Sequence, residues 1–279
     1  STEFTPQTTA FTSWIIIGLL AVSLIFLVRV LPSKVAQITD QPKLKEVVRA
    51  LSANRPFVIF FFGLLCTGLA SGMTAGLFFF FMDSYLDISD KIAHVGLAAF
   101  VISLCATQLW PPIMNRFGKH VTLALSGVGT ICALGLMATI QPGSNAYPMM
   151  LTVFILSAIT GSGVPICILA IMADVVDYDE LKTGKRKAAS YFSFLTILEK
   201  AGIAIGAGLG LIIAGYFGFE VAGINDQRAV AGFFVAFLGI PITLHLLGII
   251  LLLNFPIDAR RHSIIRRRLD SLAQRQSRT

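Results

Sequence analysis

Residues 190–219 read SYFSFLTILEKAGIAIGAGLGLIIAGYFGF. The run is largely apolar and carries no charge except Glu199 and Lys200. A helix entering a bilayer near Ala189 carries Lys200 about 16 Å inward, at ~1.5 Å per residue. The hydrocarbon core is about 30 Å thick, so Lys200 falls near its midplane. An ammonium group at that depth costs on the order of 3 kcal/mol, and such residues face a water-filled cavity or an acidic partner. Its four-carbon stem reaches only about 6 Å, too short to bring the charge to the nearer interface. The run is therefore read as a membrane helix with a wetted, functional face.

Working outward, the rest of the chain has the same character. Of its 279 residues 55% are hydrophobic and 13% charged, with 22 phenylalanines and a mean hydropathy of +0.79. Soluble domains carry about 25% charged residues. The apolar runs are continuous, which excludes the alternating pattern of a β-barrel. The fold class is an all-α polytopic membrane protein. Seven spans are expected at residues 11–31, 56–82, 93–114, 121–140, 147–173, 189–217 and 229–255, each long enough to cross.

The net charge of +7 is a topology signal and not a nucleic-acid one. All but four of the 22 basic residues (Arg29, Lys91, Lys200 and Arg228) lie in alternate loops or in the final tail. By the positive-inside rule the tail is cytoplasmic and Ser1 is outside. Four regions follow: residues 1–31 with the first span, a cytoplasmic linker at 32–55 containing a short amphipathic helix at 44–51, a six-helix bundle at 56–256, and a basic tail at 257–279. The tail, with Arg266, Arg267 and Arg268 beside Ile264, Ile265, Leu269 and Leu272, suits either an anionic lipid surface or simple solvation. The chain starts with Ser1 and a polar stretch, and is expected to be a piece of a longer protein.

Several features bear on helix packing, and suit either tight static contacts or a sliding surface. Gly68, Gly72 and Gly76 repeat every four residues, as do Gly202, Gly206 and Gly210; small residues so spaced let helix backbones approach closely. At 100° per residue Thr196 and Lys200 share a face, while Glu199 lies nearer the glycine side. Thr196 and Lys200 are then expected to look into a cavity, and Glu199 to meet another helix. Gly161-Ser162-Gly163-Val164-Pro165 breaks the fifth span, because Pro165 removes a helical hydrogen bond; such breaks are tolerated where they line protein or water. Cys66, Cys105, Cys132 and Cys167 have no metal or redox spacing and are read as packing residues. No Ser/His/Asp grouping, metal cluster or phosphate loop appears, so an enzyme is not expected. His245, alone in the last span, is expected to bond a neighbouring helix. A receptor-like or scaffolding seven-helix protein is the rival class, disfavoured by the layout of one helix, a long basic loop and then six helices.

Two polar segments carry a resemblance. Arg116-Phe117-Gly118-Lys119 joins two spans, and Ala173-Asp174-Val175-Val176-Asp177-Tyr178 precedes Thr183-Gly184-Lys185-Arg186 and then Lys200 in the next helix. The acids are expected near a helix C-terminus, where the macrodipole disfavours them, so basic partners are needed. The first segment resembles the interhelical motif of the major facilitator superfamily. The second resembles the glycoside–pentoside–hexuronide, or melibiose-permease-like, cation symporters. The resemblance implies helices six to twelve of a twelve-helix carrier in the plasma (inner) membrane, with the amino-terminal half missing. It implies a substrate and cation region at Lys200, Thr196 and Glu199, and a cytoplasmic gate of Arg116, Lys119, Asp174, Asp177 and Arg186. The implied partners are a small solute, the lipid bilayer and a coupling ion, Na⁺ or H⁺, without other cofactors. Two departures stand out. Ala188 and Ala189 replace a Glu and a Gly frequent in related permeases. Gly163, Val164 and Pro165 occupy the region where melibiose-type members carry a sugar-stacking tryptophan, which weakens the case for a galactoside and leaves a lysolipid open.

Overall fold

A computed structural model describes residues 6–30, 52–184, 187–220, 225–257 and 259–276. Within these, seven helical stretches are long and apolar enough to cross a membrane, one at each expected span. Helix is the necessary solution here, because a lipid-immersed chain must satisfy its backbone groups internally. The chain divides into two units, Ser1–Glu46 and Val47–Thr279. In the first, α1 (Pro6–Val30) has no acidic residue in its first turn and Arg29 in its last. The amphipathic helix expected at 44–51 lies outside the described residues.

The second unit is a helix bundle. Helix α2 (Arg55–Phe80) starts at Asn54, whose side chain accepts a hydrogen bond from the Phe57 amide at 3.2 Å. The same amide side chain donates to the Tyr191 hydroxyl at 2.9 Å, fixing the start of α2 against a later helix. Next come α3 (Ile92–Ala106) and α4 (Trp110–Phe117), joined by a 3-10 turn at Thr107–Leu109. Gly118, at φ 86°, makes the tight turn into α5 (Lys119–Met137). Only glycine adopts that backbone readily.

The fifth span is two helices, α6 (Ala146–Gly161) and α7 (Val164–Thr183), with Pro165 in the first turn of α7. Proline is at home there, since those amides have no intrahelical partner. Helix α7 runs ten residues past the expected end of its span, to a left-handed cap at Gly184. Asp174 and Asp177 are therefore inside the helix and not at its end. Helix α8 (Ala188–Tyr216) follows, then α9 (Gln227–Phe234), a π turn at Val235–Gly239 and α10 (Ile240–Leu253). The tail forms α11 (Ala259–Gln276).

Helices α2 and α8 make the closest contact, through both glycine stripes at once. Gly68 faces Gly202, and a Cβ on Gly72 or Gly206 would run into the backbone of Ile203 or Leu69 respectively. Without a strong hydrophobic drive between helices in lipid, such close backbone packing supplies much of the association. Two apolar clusters fill the bundle. One gathers Phe57, Phe60, Ile171, Val175, Tyr191 and Phe255. The other gathers Met73, Leu77, Phe81, Met137, Met150 and Phe237. Ile265 and Leu269 of α11 join the first cluster, so the tail helix is docked on α7 instead of lying free. Of the four cysteines, Cys167 is buried and Cys66 half-buried, but Cys105 and Cys132 are exposed and pack no core.

Candidate functional site

A cavity of about 550 Å³ borders the first apolar cluster, which lends Leu64, Leu123, Leu195 and Leu252 to its wall. Helices α2, α5, α6, α7, α8 and α10 all contribute to its wall. The wall is mostly aliphatic, with hydroxyls from Thr67, Ser71, Thr130, Ser157 and Thr196. Glu199 is the one charged side chain in it among the described residues. The broken fifth span forms one side through Gly161, Val164 and Pro165.

The break is braced from α4. Trp110 Nε1 lies 3.0 Å from the Ile159 carbonyl and 2.9 Å from the Ser162 hydroxyl, donating to both. Its ring packs on Gly163, where any Cβ would collide with it. The Ile159 carbonyl also accepts from the Ser162 hydroxyl at 2.9 Å, so the indole adds a second donor there and ties the break to α4. Sequence reading found the break from Pro165 but not the tryptophan that holds it. The partners are 49 and 52 residues apart, and no local pattern links them.

The three residues predicted on α8 are adjacent but do not share one environment. Thr196 and Glu199 line the cavity. Lys200 does not; it stands one turn past Thr196, rotated about 40° from it, with its side chain 73% exposed. Its Nζ is 3.9 Å from Glu199 Oε1. Among the described residues Glu199 thus pairs along its own helix and not across to another. The cavity-facing sector falls between the glycine stripe and Lys200, which is why Glu199 belongs to it. The Thr196 hydroxyl bonds back to the Phe192 carbonyl at 3.0 Å.

At the basic end of the bundle the acids of α7 are paired. Lys119 Nζ lies 2.5 Å from Asp174 Oδ1 and donates to the Ala170 carbonyl at 3.1 Å. His262 Nε2, from the tail helix, sits 3.1 Å from both Asp174 Oδ1 and Asp177 Oδ2. Arg266 reaches Asp177 at 3.6 Å, and Lys187 reaches Asp179 at 3.2 Å. Asp174, Asp177 and Asp179 are buried, so these partners are what permits their charge. Of the predicted gate, Lys119, Asp174 and Asp177 come together. Arg116 does not join them; its guanidinium lies over the Phe117 ring, 5.4 Å from the centroid. Arg186 lies outside the described residues. His262, Arg266 and Lys187 were missed. The first two are separated from their partners by most of the last two spans, and only the docking of the tail brings them in.

A family model described as "MFS/sugar transport protein" matches residues 1–259. The chain is 29% identical to an uncharacterized symporter of Synechocystis sp., over 84% of this chain and 44% of that protein. It is 24% identical to the glucuronide carrier protein homolog of Escherichia coli, over 81% of this chain and 50% of that protein. It is 22% identical to the sodium-dependent lysophosphatidylcholine symporter 1 of Homo sapiens, over 81% of this chain and 41% of that protein. The chain spans about half the length of the known relatives it matches. The match bears out the resemblance carried by Arg116–Lys119 and by Ala173–Tyr178: the chain belongs to the MFS/sugar transport protein family.

Proposed function

We propose that this chain is the carboxyl-terminal half of a cation-coupled symporter for a sugar or glycoside-like solute. The cavity supports this reading most directly. It combines hydroxyls, one carboxylate and an aliphatic wall. Pockets that hold small solutes have this mixture, with few polar groups set in apolar surroundings. The solute would sit between this half and its amino-terminal counterpart, and the halves would rock about it. The protein acts as a carrier and not as an enzyme. It resides in the plasma (inner) membrane, with the basic end and the tail in the cytoplasm.

Lys200 acts as an electrostatic partner for the coupling carboxylates of the other half. It pairs with them when the cation is absent and is released when Na⁺ or H⁺ binds. Glu199 offers a protonatable group beside it, which biases coupling toward H⁺. The ion pairs of Lys119, Asp174 and Asp177 keep the inner side shut. A second reading, a carrier of a lysolipid, is favoured by the aliphatic cavity wall and by the lysophosphatidylcholine symporter among the relatives.

The test is uptake by the full-length protein in proteoliposomes, with a panel of sugars and lysolipids, under Na⁺ or H⁺ gradients. Uphill uptake of at least one panel member under one gradient is expected, abolished or uncoupled by Lys200→Ala and by Lys200→Arg. Normal uphill uptake by both variants contradicts the role of Lys200. No uptake of any panel member contradicts the carrier reading.

A further inference from the structure

His245 of α10 stands in the cavity wall and is buried, with 7% of its surface exposed. Among the described residues its ring makes no hydrogen bond or ion pair, so the expected bond to a neighbouring helix is not made. Buried polar groups are nearly always bonded, and an exception calls for an explanation. The ring nitrogens of His245 are not sealed in the core and open onto the cavity. Ionisable side chains inside membrane spans face the bundle interior and mark solute or ion paths. The other side chains that α10 adds to the cavity, Ile249 and Leu252, are apolar, as are Leu64 and Leu123 opposite. Thr67 of α2 reaches the same neighbourhood, since its methyl group approaches Gly248 one turn from His245.

We propose that His245 is a solute-binding residue, which exchanges hydrogen bonds with a hydroxyl group of the transported molecule. This rests on the carrier reading above. The chemistry follows from the imidazole. A neutral ring offers one donor and one acceptor, and a hydroxyl matches both functions. Among the described residues the only charged lining residue is an acid, Glu199, so they supply no cation beside His245 to hold a carboxylate or phosphate. The partner hydroxyl belongs either to a sugar ring or to the glycerol of a monoacyl lipid, and in both cases the aliphatic wall takes the apolar remainder.

The test uses the full-length protein in proteoliposomes, with radiolabelled methyl β-D-glucoside and lysophosphatidylcholine as separate probes. His245→Leu keeps the volume and removes the hydrogen bonds; it raises KM for the accepted probe about tenfold. His245→Gln, which retains a donor and an acceptor, recovers most of that loss. Whichever probe shows the change names the source of the hydroxyl. In a second arm, His245→Cys in a cysteine-free background reacts with a small water-soluble methanethiosulfonate, and the accepted probe slows the reaction. A KM within twofold of wild type for His245→Leu with every accepted probe overturns the proposal, as does a cysteine at 245 that never reacts. Wild-type protein that takes up neither probe counts against the carrier reading and not against His245, which is then decided by the labelling.

Discussion

The basic end of the bundle and the cavity handle polar groups in opposite ways. At the basic end, Asp174, Asp177 and Asp179 are buried and each has a cationic partner within the chain. In the cavity, Glu199 pairs only loosely with its sequence neighbour, and His245 has no partner among the described residues. Buried charges demand partners because desolvation is expensive. The first region meets that demand internally and closes one end of the helices. In the second, Glu199 is 58% exposed and makes no such demand, and the unpartnered His245 ring leaves hydrogen-bonding capacity for a ligand. Substitutions at the basic end should therefore weaken the fold, and substitutions in the cavity should change transport and leave stability alone.

The strongest way to break this contrast is Asp174→Asn. It strips Lys119 and His262 of a shared acid and leaves an uncompensated lysine, at a cost of about 3 kcal/mol. A clear drop in the midpoint of thermal unfolding in lipid nanodiscs is expected; an unchanged midpoint would contradict the account of that end. Trp110→Phe comes next. It keeps the ring and removes the donor to Ile159 and Ser162, with a loss of about 1–2 kcal/mol in the same assay. Because the break lines the cavity, transport should also slow, and hydrogen exchange should rise at residues 159–163 first. Unaltered exchange there would show that the indole is only filling space. A smaller effect is expected for Arg266→Ala. Its side chain is 57% exposed, and exposed pairs contribute about 0–1 kcal/mol. The smallest stability change belongs to Glu199→Gln, within about 0.5 kcal/mol for so exposed a side chain. Its transport phenotype should be the clear one, a loss of pH dependence of uptake. If Glu199→Gln unfolds the protein instead, the distinction between the two regions fails.

How far the molecule could be read from its sequence follows the same division. The spans were legible because lipid leaves a chain one local solution, long apolar helices. The glycine stripes and the broken fifth span were legible because each is a short-range pattern. Their partners were not. Trp110 meets Gly163 across two helices, and the stripe of α2 meets that of α8 across 134 residues, from Gly68 to Gly202. Asp174 and Asp177 stood out as acids needing cations, but the choice of Lys119, His262 and Arg266 over Arg116 depended on where α11 docks. The helical wheel placed Glu199 on the glycine side, and the cavity turned out to occupy the sector just beside that stripe.

The central claim is that the exposed face of α8 around Lys200 borders an aqueous, solute-accepting crevice in the intact protein and not the fatty-acyl chains. The direct measurement is the reactivity of Lys200→Cys, in a cysteine-free full-length protein in membranes, toward a membrane-impermeant thiol reagent. Modification that the transported solute or the coupling cation slows is the predicted result. A thiol that stays unmodified from both sides of the membrane, with and without solute and cation, would contradict it.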